Sequence, residues 1–174
     1  MYPTQLVKDP VYRTVKTYGH ERGLSCCFRQ HPATHSHCSK LHGYSLAVEL
    51  TFEAYGLDHR NWVMDFGGLK PVEQFLKDTF DHKTVVAEDD PELQLFFKLE
   101  DRGVVDLTIL SAVGCEAFAE YIHNRVCLLL GLDDESSVRL AKVKVMEHGS
   151  NAAEFELHYG IAGSLEVMGE QDDT

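Results

Sequence analysis

The chain gathers its reactive side chains into a few short segments. Four of its ten histidines, His31, His35, His37 and His42, fall within twelve residues, and Cys38 lies among them. An even scatter would put fewer than one histidine in that window. His35 and His37 are two apart, so on extended backbone both imidazoles point to one side, and His42 opens the apolar run that follows. Three neutral imidazoles with an open fourth position make a catalytic zinc site. The plainer alternative is a loop of solvent-facing histidines. A histidine or a divalent metal beside a cysteine favours its thiolate, which nucleophilic and proton-transfer work both require, so Cys38 is a candidate for either.

Two further positions carry chemistry. Asp81-His82 follows a helical pattern directly, and a carboxylate next to an imidazole orients it and stabilises its charged form, as a general acid or base needs. A histidine at a helix end also serves simply to satisfy the helix dipole. Glu147 ends the apolar run Val143–Met146, where an unpaired carboxylate is costly. A heterocycle with an amidine-like edge, such as a pterin or guanine, would supply it with two donors; an exposed turn glutamate is the alternative. Cys26 and Cys27 sit in a strand pattern and Cys115 and Cys127 on a helix, where small core residues are expected.

Elements must hold these groups in place. Residues 24–30 and 43–53 read as strands, the second with apolar even positions from Tyr44 to Phe52. Trp62–Phe66 is strand-like and ends at Gly67-Gly68. Leu69, Val72, Phe75, Leu76 and Phe80 have helical spacing, as do Ala117 to Leu130, which stop at Gly131. Val138–Met146 and Ala153–Tyr159 read as closing strands around the turn residues Gly149-Ser150-Asn151. Strand pair, two helices, strand pair is an α+β order: an antiparallel sheet with two helices packed on one face. The 174 residues make one domain, 1–174, with a polar acidic tail at 169–174.

Charge narrows the function. With 16 Lys plus Arg against 28 Asp plus Glu, the net charge is -12, which argues against nucleic acid and anionic membranes as partners. No run approaches the roughly 20 apolar residues of a spanning helix. An odd number of cysteines and no basic-then-apolar leader fit reduced thiols in the cytoplasm.

Taken in order, Cys38-x-x-x-His42-Gly43, Met64-Asp65-Phe66-Gly67-x-Leu69-Lys70, Asp81-His82, Glu116 with Ala119 and Ile122, and Glu147 resemble the 6-pyruvoyl-tetrahydropterin synthase and 6-carboxy-tetrahydropterin synthase family over about residues 24–160. The resemblance implies the T-fold, rings of identical subunits with sites at their interfaces, and a zinc ion held by one strand histidine and a His-x-His. It implies that Cys38, Asp81 and His82 move protons and that Glu147 anchors the pterin ring. The chain departs from the pattern at Tyr44, which stands where the second histidine of His-x-His belongs. His35 and His37 would then join His42 as metal ligands, with His31 a further candidate.

The implied reaction is lyase chemistry on 7,8-dihydroneopterin triphosphate, by the carboxy branch that leads toward queuosine. The pyruvoyl branch is the alternative, as is a non-catalytic pterin binder with a degenerate metal site. A triphosphate needs local positive charge in so acidic a chain. Lys40, Lys70 and Lys83 lie beside the matched motifs and would line the pocket, with the acidic runs Glu88–Asp90 and Asp133–Glu135 and the tail facing elsewhere.

Overall fold

The computed structural model describes residues 10–157. Ten regular elements follow in order: β1 (Tyr12–Tyr18), β2 (Leu24–Phe28), β3 (His42–Ala54), α1 (Lys70–Phe80), β4 (Lys83–Ala87), α2 (Leu93–Asp101), β5 (Leu107–Leu110), α3 (Cys115–Leu130), β6 (Val138–His148) and β7 (Asn151–Glu156). The strands form one sheet in the order β5-β4-β2-β3-β6-β7, and β1 also pairs with β3. The sheet is antiparallel through β1, β2, β3, β6 and β7 and continues with β4 and β5 as parallel strands. The α+β class holds, with a mixed sheet and a third helix.

The thirteen residues of β3 form the spine. Their N-terminal part pairs with β2, and the part from Ala47 onward pairs with β6, with β1 joining from Val48. From Leu46 on, nearly every β3 side chain is buried, because the strand is covered on both faces. Helix α1 buries Val72, Leu76, Thr79 and Phe80 at helical spacing. It begins with Pro71 in its first turn, where the missing N–H costs nothing. Helix α3 stops where expected. Gly131 takes a left-handed conformation (φ 64°), and its N–H reaches the carbonyls of Cys127 and Leu128. An aromatic chain ties the layers together. Phe28 packs edge-on against Phe118 of α3 at 5.1 Å, and Phe118 meets Phe80 of α1 at 5.2 Å.

Several local expectations change. Residues 62–66 are not a strand: Asp65 accepts a hydrogen bond from the Gly67 N–H at 2.8 Å and caps a 3-10 turn over Phe66–Leu69. The last strand runs Asn151–Glu156 and ends three residues short of the expected Tyr159; His158 and Tyr159 lie outside the described residues. The tail 169–174 also lies outside them. No helix among the described residues is long and apolar enough to cross a membrane.

The loop after β2 is pinned by a buried ion pair. Arg29 donates from Nε and Nη2 to the two Asp90 carboxylate oxygens, at 2.8 and 2.6 Å, and the Asp90 side chain is fully buried. The Arg29 hydrogen bond holds the Asp90 carboxyl below its usual range, against the opposing effect of burial. A depressed folded value stabilises the protein above the unfolded value of about 3.9, and that contribution is lost as pH falls through the folded value. Asp90→Asn should therefore lower stability at neutral pH by about 3 kcal/mol, since it leaves Arg29 unpaired. It should also make the acid limb of the stability curve shallower. Urea unfolding at a series of pH values checks both; a variant with wild-type stability at pH 7 would contradict the assignment.

Candidate ligand-binding site

The pairing of β2 with β3 decides which side chains meet. Phe28 lies opposite His42, Cys26 opposite Tyr44 and Leu24 opposite Leu46. Since alternate residues of a strand share a face, these six point to the face that carries the core, whereas Ser25, Cys27, Gly43 and Ser45 point to the other.

On the core face three rings converge. The centroids of Phe28 and His42 are 5.0 Å apart, those of Phe28 and Tyr44 6.1 Å, and those of His42 and Tyr44 5.5 Å, the last pair edge-on. Phe28 is completely buried, while His42 and Tyr44 are half-buried. His42 Nδ1 lies 2.8 Å from the carbonyl of Lys40; a carbonyl only accepts, so Nδ1 donates and Nε2 is left as an acceptor. The ring of His148, at the end of β6, stands 6.0 Å from Tyr44. Burial, then Glu147, Cys38 and Cys115, raise the Tyr44 phenol above its ordinary pKa. These groups therefore share one electrostatic neighbourhood.

Glu147 belongs to a cavity of about 360 Å³ that is lined by Gln30, Cys115, Glu116, Ser150 and Asn151 among others. Cys115 is buried in the core, as expected, and is the first residue of α3. Burial, the charges of Glu147 and Glu116, and a hydrogen bond to Glu147 push its thiol up to about 12. Glu116 stands in the first turn of α3, where the helix dipole favours a carboxylate. Gly114 just before it has φ 119°, and a Cβ there would come within 2.6 Å of Gln30 Nε2. A glycine is needed at that turn and lets Gln30 approach. The acidic runs 88–90 and 133–135 stay out of this cavity, as expected of them, but so do Lys40, Lys70 and Lys83.

Asp81 and His82 form a pair elsewhere. His82 Nδ1 is 2.6 Å from Asp81 Oδ1, and the imidazole is largely exposed. The His82 N–H donates to the Ser25 carbonyl at 2.6 Å while its backbone adopts φ 58°, a conformation disfavoured outside glycine and often held at functional positions. His82 lines a cleft of about 660 Å³ with Cys27, Gly43, Thr84, Val104 and Asp106. Cys38, His42 and Glu147 are not among its walls. Lys83 also faces this cleft and is ion-paired with Asp106. Strand alternation gives Ser25, Cys27, Gly43 and Ser45 one face, and Cys26 and Tyr44 also line the cleft.

The expected metal set is not assembled. His35 and His37 are exposed in the loop that ends in the 3-10 turn His37–Ser39, which Ser36 caps by accepting from the Cys38 N–H. His31 turns toward Asp90, close enough to help lower that carboxyl, and its Nδ1 is buried without a hydrogen-bond partner. Among the described residues no three His, Cys, Asp or Glu side chains are grouped to hold a metal ion. Two members of the ring cluster, Phe28 and Tyr44, offer no imidazole, so the donors present do not fit a three-histidine zinc site. Gln30, Cys115 and Phe28 were not legible as site residues. Only the adjacency of Cys115 to Glu116 hinted at one of them.

A sequence profile of the family described as 6-pyruvoyl tetrahydropterin synthase matches residues 19–158, well over half of the chain. No curated protein sequence matches significantly. Solved structures share the fold at low identity. An uncharacterized protein from Wolinella succinogenes superposes with a TM-score of 0.66 at 17% identity, over 86% of this chain and 99% of its own. The 6-pyruvoyl tetrahydropterin synthase of Plasmodium falciparum gives 0.61 at 17% identity, over 86% of this chain and 99% of its own. The Caenorhabditis elegans synthase gives 0.54 at 18% identity, over 86% and 96%. With its profile match, mixed seven-stranded sheet and three helices, the chain belongs to the 6-pyruvoyl tetrahydropterin synthase family.

Proposed function

We propose that the protein binds a pterin at the Glu147 cavity. The observation that carries this reading is the convergence of Glu147, Cys115, Glu116 and Gln30 on one small polar cavity at the end of β6. The Glu147 carboxylate would accept two parallel hydrogen bonds from the amino group and adjacent ring N–H of the heterocycle, a charge-assisted pair with strong directional preference. Burial first, and then the charges of Glu147 and Glu116, keep the Cys115 thiol protonated at neutral pH beside the same carboxylate. Gln30 supplies an amide, which both donates and accepts, at the cavity wall.

A second reading is lyase action on 7,8-dihydroneopterin triphosphate, giving the 6-carboxy product of queuosine-type pathways or the 6-pyruvoyl product. The Asp81–His82 pair favours it, because a carboxylate 2.6 Å from Nδ1 holds the imidazole with Nε2 free to exchange protons. Cys38 would remove the carbon-bound proton. Since Cys38 is not among the walls of the His82 cleft, His82 of a second copy would have to meet Cys38, which makes a homo-oligomer part of this reading. Zinc held by His35, His37 and His42 also belongs to it. The donors present do not fit that ion.

Fluorescence titration with neopterin tests the binding reading. Saturable binding is expected, and Glu147→Ala should weaken it about 10- to 100-fold, the range for losing a charged hydrogen-bonding partner. Equal affinity in wild type and variant would contradict the anchor. A thiol whose pKa is about 12 is ionised at only about one part in ten thousand at pH 8. Cys115 should therefore resist iodoacetamide at that pH when labelling is mapped by mass spectrometry, and rapid modification would contradict its buried setting beside Glu147 and Glu116. For the lyase reading, triphosphate release from 7,8-dihydroneopterin triphosphate should fall by about 100-fold or more in Cys38→Ala. Undiminished turnover in that variant would remove Cys38 from the mechanism.

A further inference from the structure

The ring cluster at the β2–β3 pairing stands where the fold brings three side chains to one point. Only one of the three, His42, can ligate a divalent cation well. Phe28 has no lone pair to offer, and the neutral phenol of Tyr44 is a poor substitute for an imidazole at zinc. Packing fixes this arrangement. Phe28 is completely buried and locked edge-on against Phe118, so its position cannot be yielded to another donor without opening the core. His42 has one nitrogen committed to the Lys40 carbonyl.

Charge points the same way. The neighbouring cavity carries Glu147 and Glu116 and no Lys or Arg. Lys83 is paired with Asp106 and lines the His82 cleft. Without the two positive charges of a metal, this side of the sheet opposes a triphosphate and suits a neutral side chain that hydrogen-bonds. Tyr44, His42 Nε2, Ser150 and Asn151 offer such hydrogen bonds.

We infer that this protein takes an unphosphorylated pterin without a metal ion, its hydroxylated side chain lying against His42 and Tyr44 with Phe28 closing the space behind them. The inference rests on the pterin reading of the Glu147 cavity and adds two statements to it: no metal requirement, and preference for an uncharged side chain.

Zinc uptake and ligand titration together test it. Full-length protein stripped with EDTA and dialysed against zinc should retain far less than one zinc per chain by elemental analysis. Its affinity for neopterin should be the same with EDTA or with zinc, and neopterin triphosphate should bind at least about tenfold more weakly. The double variant Phe28→His with Tyr44→His rebuilds three imidazoles on the same two strands and should take up about one zinc per chain. Because Phe28→His disturbs the core, Tyr44→His alone is the second variant, and it should bind zinc at least about tenfold more tightly than wild type. Stoichiometric zinc in wild type, neopterin binding that needs zinc, tighter binding of the triphosphate, or no gain of zinc by Tyr44→His would each overturn the inference. Failure of every pterin to bind would instead defeat the Glu147 reading, while zinc uptake would still decide the metal question.

Discussion

The site depends on one register, the antiparallel pairing of β2 with β3. With Phe28 opposite His42 and Cys26 opposite Tyr44, the even-numbered residues of both strands face the helices and the odd-numbered ones face away. A slip of one residue would send every one of these side chains to the other face. Burial on the helix side makes that slip prohibitive, since Leu24, Cys26, Phe28 and Leu46 would all have to leave the core. Gly43 contributes a steric condition, because a Cβ there would stand 3.1 Å from the Cys26 carbonyl. The register thus sets which side chains meet in the ring cluster.

Electrostatics then sets what the Glu147 cavity suits. On the core side acidic groups gather around Glu147, and the thiol of Cys115 responds by holding its proton. Such a neighbourhood suits donors at a heterocycle's edge and is unsuited to a polyanion. Elsewhere Asp81 is hydrogen-bonded to His82, and Lys83 is ion-paired with Asp106. Among the described residues, the Glu147 cavity carries no Lys or Arg to offset the net charge of -12. The three lysines expected to offset it stand outside the Glu147 cavity.

The parts of this fold that alternate with a clear period were readable beforehand. The runs 43–53 and 138–146 became β3 and β6, and the apolar stripe ending at Gly131 became α3, because their apolar residues recur with the local period. β1, β4, β5 and α2 escaped notice. The buried run Thr84–Ala87 has no alternation to separate it from a helix segment, and β5 has only four residues. The Asp81–His82 pair and the Glu147 position were legible because each joins a charged group to the end of a regular element. The metal set was not. Histidine density in a loop says nothing about convergence, and the residue that completes the cluster, Phe28, looks like any core aromatic until its cross-strand partner is known.

The central claim is that Glu147 anchors a pterin in a metal-free site bounded by His42 and Tyr44. Crystals grown with both neopterin and zinc, measured on either side of the zinc absorption edge, test it most directly. The account predicts electron density for the heterocycle with its amino edge on Glu147 and no anomalous peak among Phe28, His42 and Tyr44. An anomalous peak at those rings, or a heterocycle bound away from Glu147, would contradict it.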